Sequence, residues 1–154
     1  MQIQIKGNSK GWPVYDKKMI RSAVRYYLEA LDVTAEYLKD VVLTITFTKD
    51  LAHALADVGW DDDPDIPKKF SIRLNEKTSK SRSLKALAHE CVHISQYIKG
   101  HLKDGYAKHV VWKKKKYDWH GTQPCKKYYF APWEIEANGL MEYLYYDWKT
   151  TIRT

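Results

Sequence analysis

A five-residue segment in the middle of the chain, His89-Glu90-Cys91-Val92-His93, combines residue types and a spacing that suit metal-assisted hydrolysis. Two histidines four positions apart lie one above the other on a helix, so both imidazoles can reach one metal ion. The glutamate between them can accept a proton from a water molecule that the metal activates. The segment therefore predicts a metal site on His89 and His93 with Glu90 as the general base.

The residues around this segment predict that it lies on a buried helix of about residues 82–99. Gly100 follows as a residue suited to the left-handed conformation that ends many helices. The histidines share their face with Gln96 and Tyr97. The opposite face is apolar and consists of Leu84, Leu87, Cys91, Ile94 and Ile98.

A catalytic zinc site needs a third protein ligand and one open position, and Glu134 is our choice for that ligand. Pro132 suits the first turn of a helix, so it predicts where a second helix begins. Glu134 and Asn138 then lie one turn apart on the same face, so we expect Glu134 to bind the metal and Asn138 to hydrogen-bond a ligand histidine. Glu136 should point away from this face and take no part.

Other downstream side chains could supply the third ligand instead. His101 follows Gly100, at a spacing that differs from the three-histidine motif H-E-x-x-H-x-x-G-x-x-H. Two histidines near a predicted hairpin and one cysteine complete the alternatives, which stay open at this point: His109, His120 and Cys125.

The two motifs together, H-E-x-x-H at residues 89–93 and E-x-x-A-N at residues 134–138, resemble the zincin-like metallopeptidases of the gluzincin kind. The resemblance is to small phage and bacterial members, and it covers about residues 40–148. SprT-like enzymes, which use a third histidine, are a weaker match. Asn138 stands where the best-known gluzincins carry Asp.

This resemblance implies a zinc metallopeptidase that binds one Zn²⁺ per chain on His89, His93 and Glu134 and hydrolyses a protein or peptide substrate. Glu90 would be the general base that acts on zinc-bound water. The resemblance also implies that the segment FSIRL, residues 70–74, is the edge strand that lines the cleft and pairs with an extended substrate.

Hydrophobic periodicity predicts an α+β fold in a single domain over residues 1–154: a zincin-like minimal metallopeptidase domain. We expect a small twisted sheet with helices on one side, in which the active-site helix packs against the C-terminal ligand helix. The predicted helices span about residues 16–31, 50–57, 82–99 and 132–148, the strands about residues 41–48 and 69–74, and a hairpin about residues 108–119.

The net charge of +7 is concentrated in residues 101–127, which contain eight lysines and two acidic residues. The run Lys113–Lys116, with Trp112, Tyr117 and Trp119 nearby, could bind phosphates and stack bases. Consecutive lysines at a hairpin turn need no partner, however, and we favour a solvated turn over a nucleic-acid contact.

The chain has two cysteines, Cys91 and Cys125, which is too few for a disulfide scaffold, so both are expected to be reduced in the cytoplasm. No apolar segment is long enough to span a membrane, and no signal segment is visible, so no membrane partner is expected. One residue is left undecided, the phenol that would stabilise the oxyanion, among Tyr97, Tyr128, Tyr129, Tyr143 and Tyr145.

A second hypothesis is a zincin-like binding or regulatory protein, associated with nucleic acid, that keeps the metal but cleaves little. The intact Glu90 favours the peptidase, because a purely structural zinc has no use for that carboxylate. A metal-free DNA-binding module is the third hypothesis.

Overall fold

The computed structural model describes residues 1–51, 54–63, 65–104, 109–118 and 126–152, and these residues form a mixed α+β structure. The predicted fold class is therefore confirmed at the level of α+β. In chain order the elements are β1 (Gln2–Lys6), α1 (Lys17–Ala30), β2 (Val42–Thr48), β3 (Ala56–Trp60), β4 (Lys69–Asn75), α2 (Lys80–Ile98), β5 (Leu102–Asp104), β6 (His109–Trp112), β7 (Lys115–Asp118), α3 (Lys126–Tyr129) and α4 (Pro132–Thr151).

The larger sheet has the strand order β1-β2-β4-β3, in which β1, β2 and β4 run parallel and β3 is antiparallel to β4 at the edge. Its strands alternate buried residues with more exposed ones, as expected for a sheet covered on one face. Ile45 and Ile72 are register partners and are fully buried under the helices. The predicted sheet with helices on one side is thus observed.

The three long helices form one core with this sheet, and their ends follow local sequence signals. Asp16 caps α1 by accepting a hydrogen bond from the Lys18 backbone N–H at 2.8 Å. Gly100 has φ +68° and ends α2, where the Gly100 and His101 N–H groups donate to the carbonyls of Tyr97 and Gln96. Pro132 occupies the start of α4, as predicted.

A second, smaller sheet with the order β5-β6-β7 carries its own apolar cluster. Strands β6 and β7 form the predicted hairpin, and Lys113 and Lys114 take positive φ angles of 45° and 69° at its turn. Trp133, in the first turn of α4, packs against Trp112 and Tyr117 of this hairpin. The small cluster therefore fixes the N-terminal end of α4.

The predicted helix over residues 50–57 is wrong. Within the described residues, Ala56–Trp60 form strand β3, and Val58 pairs with Ile72 of β4. Helix-forming residues in this stretch favoured a helix locally, but pairing with an existing strand overrides that preference. Strands β1 and β5 were not predicted at all.

No helix within the described part of the chain is long and apolar enough to cross a membrane.

Candidate metal centre

Helix α2 presents the two histidines of the motif on one face, as their spacing predicts. The Nε2 atoms of His89 and His93 lie 3.1 Å apart, and the two rings meet edge to face. The opposite face of α2 is buried in the core, where Leu87 and Cys91 are fully enclosed. Because this packing leaves the helix no freedom to rotate, the imidazoles are held in a fixed orientation.

Helix α4 brings Glu134 to the same point. Its Oε1 atom lies 3.2 Å from His93 Nε2, and its Oε2 atom lies 3.4 Å from His89 Nε2. Glu134 is only 4% exposed, and Oε2 is the one buried side-chain nitrogen or oxygen in the described residues that has no hydrogen-bond partner. The three residues chosen from the sequence therefore lie close enough together to hold a metal ion.

The spacing of these donor atoms matches a zinc site. Bonds of about 2.0–2.1 Å in a tetrahedral arrangement place ligand atoms roughly 3.3 Å apart. The three measured separations between the donors are 3.1, 3.2 and 3.4 Å. A buried carboxylate oxygen without a hydrogen-bond partner is destabilising, and a cation at this point would remove that cost. The residues therefore fit the ion.

The electrostatics of the cluster also favour an anionic carboxylate. Burial raises the pKa of Glu134, but the two histidines outweigh burial and hold this pKa at about 2. Burial lowers the pKa of His93, but its contact with Glu134 and the nearby charge of Glu90 more than offset that effect, so the pKa of His93 is raised. Glu134 is thus ionised at neutral pH, as a metal ligand must be.

Glu90 lies beside the cluster without joining it. It is buried, and burial raises the pKa of its carboxyl, while His93 and His89 reduce the increase. Two cavities of about 490 and 500 Å³ meet here, and both are lined by Glu90 and Glu134. A substrate or a water molecule can therefore reach the carboxylate of Glu90 from the cleft.

The edge strand that lines this cleft is β3 and not the FSIRL segment. Strand β4, which contains FSIRL, is paired on both sides, with β2 and with β3. Ala56, Asp57 and Val58 of β3 line the cavity of about 490 Å³. The expectation of an edge strand beside the site therefore applies to a different segment, which the sequence had assigned to a helix and a loop.

Asn138 does not have the expected role beside a ligand histidine. It is exposed at the rim of the other cavity, and His93 Nδ1 instead lies 2.8 Å from Oε1 of Gln96. The amide of Gln96 in turn donates to Glu136 Oε2 at 2.8 Å, so the expectation that Glu136 takes no part is also wrong. Gln96 lies three residues after His93, and this helical i,i+3 spacing was the signal that could have revealed the contact.

The alternative third ligands have different outcomes. His101 lies beyond the end of α2, exposed and against the ring of Trp112, and His109 lies on β6. Neither belongs to a potential metal cluster within the described residues, where the cluster consists of His89, His93 and Glu134. The remaining two candidates, His120 and Cys125, lie outside the described residues.

The structure narrows the set of tyrosines near the site. Tyr97 lines one cavity and Tyr128 lines both, so each faces the cleft. Tyr129 lines only the cavity that contains His89. Tyr143 is exposed and Tyr145 packs in the core against Trp148, so neither lines the two cavities.

The lysine run lies on the surface of the hairpin. Lys113–Lys116 are all exposed, but Lys113 has partners within the chain. Its Nζ atom lies 3.5 Å from Glu136 Oε1 and 4.7 Å from the centre of the Trp112 ring. At least one lysine of the run is therefore used to attach the hairpin to α4.

Comparisons with known proteins give no match: no protein-family model fits the chain, and no curated protein or solved structure is significantly similar to it. The geometry of the site is thus the basis for assigning a function.

Proposed function

We propose that this protein is a zinc-dependent metallopeptidase, similar to the gluzincins, which binds one Zn²⁺ through His89, His93 and Glu134. The observation that carries the proposal is the set of three donor atoms 3.1–3.4 Å apart, one of them a buried carboxylate oxygen without a hydrogen-bond partner. Two histidines with one carboxylate are a ligand set of catalytic rather than closed structural zinc sites.

The position of Glu90 supports hydrolysis rather than metal storage. When bound, zinc would polarise the substrate carbonyl and lower the pKa of a water molecule. The carboxylate of Glu90 would accept the proton of the attacking water and pass it to the nitrogen of the departing amine. Its raised pKa suits this role, because a base whose pKa lies closer to neutral pH returns the proton more readily.

The cleft supports an extended peptide as the substrate. Strand β3 is paired only with β4 in the described structure, so its other edge can form backbone hydrogen bonds with a peptide strand. Ala56 and Val58 give this strand a neutral lining close to Glu90. A peptide bound there would place its backbone beside the His/His/Glu cluster.

The test separates metal binding from hydrolysis. Wild-type protein loaded with zinc should cleave an unfolded protein such as casein, and Glu90→Gln should retain one zinc per chain but lose cleavage, because an amide cannot accept the proton. Glu142→Gln is the matched control, since Glu142 lines the same cleft but pairs with Lys85. It should keep both properties.

Loss of zinc and activity together in Glu90→Gln would give Glu90 a structural role and contradict the proposal. Zinc binding by the wild type without cleavage of any protein substrate would instead favour the binding or regulatory protein.

A further inference from the structure

Gln96 is a buried side chain whose amide has a partner at each end. It is 2% exposed, and its Oε1 atom lies 2.8 Å from His93 Nδ1. Its Nε2 atom donates to the Trp133 backbone carbonyl at 3.0 Å and to Glu136 Oε2 at 2.8 Å. One amide therefore joins a histidine of α2 to the first turn of α4.

These partners allow only one orientation of the amide. The carbonyl of Trp133 and the carboxylate of Glu136 are both acceptors, so the amide nitrogen must face them. The amide oxygen then faces His93 and can only accept, which requires a hydrogen on His93 Nδ1. A neutral His93 with its hydrogen on Nδ1 has its lone pair on Nε2, the atom that lies 3.2 Å from Glu134.

We propose that Gln96 is a positioning residue that keeps His93 in the Nδ1–H tautomer, and that Glu136 keeps the Gln96 amide in the orientation this requires. The inference rests on the metal site of the proposed function but does not depend on peptide hydrolysis. It also assigns to Gln96 and Glu136 the support that the sequence had given to Asn138.

The same contacts set the distance between the two ligand helices. Gln96 bonds to the backbone of Trp133, which directly precedes Glu134. A change at Gln96 therefore acts on the tautomer of His93 and on the approach of Glu134 together. Partners of this kind typically contribute about 10–100-fold to metal affinity.

The variants can be chosen to separate these contacts. Gln96→Leu removes every hydrogen bond at nearly constant volume, and Glu136→Ala removes only the acceptor that orients the amide. Glu136→Gln is the conservative change, because its amide oxygen can still accept from Gln96 Nε2. Asn138→Ala is the matched control on the same helix, since Asn138 is exposed.

The experiment measures zinc affinity by competition with a chelator and records the His93 ring by long-range ¹H–¹⁵N NMR on the zinc-loaded protein. We expect the wild type to show zinc on Nε2 and a slowly exchanging hydrogen on Nδ1. Gln96→Leu should weaken zinc binding by about 10–100-fold and lose the slow exchange at Nδ1. Glu136→Ala should weaken binding by several-fold, and Glu136→Gln and Asn138→Ala should stay within about twofold of the wild type.

Zinc on Nδ1 of His93 in the wild type would overturn the inference, and so would wild-type affinity in both Gln96→Leu and Glu136→Ala. If Gln96→Leu does not fold, the wild-type spectrum and the pair of Glu136 variants still decide. A wild type that binds zinc but cleaves nothing contradicts only the peptidase, whereas one that takes up no zinc overturns both proposals.

Discussion

At the scale of single residues, the centre is defined by three donors and by the groups that hold them. Glu134 is the residue whose position contains most information, because its buried Oε2 atom has no hydrogen-bond partner and its pKa is held at about 2 by the histidines. A carboxylate kept ionised in a buried place is typical of a ligand or catalytic group.

The lowered pKa of Glu134 predicts how the metal-free protein responds to acid. A carboxyl whose pKa falls on folding stabilises the fold above its ordinary pKa of 4.5, and this contribution is lost as the pH falls towards about 2. The difference in unfolding free energy between the wild type and Glu134→Gln should therefore shrink over this range. Urea unfolding of both chelator-treated proteins at several pH values would measure it, and a difference that does not change with pH would contradict the prediction.

How much of this site the sequence could predict depends on the range of each interaction. The spacing of His89 and His93 requires only helix geometry, and Pro132 fixes where the helix of Glu134 begins, so the three ligands could be chosen from local patterns. The contact of Gln96 with Glu136 joins residues 40 positions apart, and no periodicity reports it. Which of Asn138 and Glu136 faces the site therefore needed the packing angle between two helices.

At the scale of elements, α2 and α4 were predictable because each has a long apolar stripe and a clear start or stop signal. Strand β3 was missed because it is short, contains Gly59 and follows residues that favour a helix. It becomes a strand only through its pairing with β4. The edge of the cleft was consequently assigned to FSIRL, whose alternating pattern is stronger but whose strand lies inside the sheet.

The hairpin cluster should be needed to hold the start of α4. Trp112 is 7% exposed and packs against Trp133, so Trp112→Ala should lower the free energy of unfolding by about 3–5 kcal/mol. It should also weaken zinc binding, since Glu134 follows Trp133 directly. Chemical denaturation and zinc competition would measure the two effects.

Trp12→Ala is the control, because Trp12 is 6% exposed but belongs to the main core. It should lower stability by a similar amount and leave the zinc affinity of the folded protein unchanged. Equal effects of both variants on zinc affinity would mean that the hairpin does not support the site specifically.

At the scale of the whole molecule, the centre lies where two apolar clusters meet. The main core holds α2 and the C-terminal half of α4, while the smaller cluster holds the start of α4, and Tyr97 packs against both. The His/His/Glu cluster is thus positioned by two separately packed bodies of side chains, joined through Gln96.

The charge of the molecule leads to a prediction about nucleic acid. The exposed lysines of the hairpin should give at most weak, non-specific binding, with a dissociation constant of roughly 10⁻⁴–10⁻⁶ M that rises steeply with salt. Replacing Lys114, Lys115 and Lys116 with Ser, while keeping Lys113 for its contact with Glu136, should flatten the salt dependence. Titration at several salt concentrations would test this, and tight binding that survives physiological salt would contradict it.

The central claim, a zinc ion held by His89, His93 and Glu134, is tested most directly by anomalous diffraction from crystals of the zinc-loaded protein, recorded on both sides of the zinc absorption edge. We predict one peak per chain that disappears below the edge, with Nε2 of each histidine and one oxygen of Glu134 about 2.0–2.2 Å away. The absence of such a peak, or zinc bound by His120 or Cys125 with Glu134 out of reach, would contradict the account.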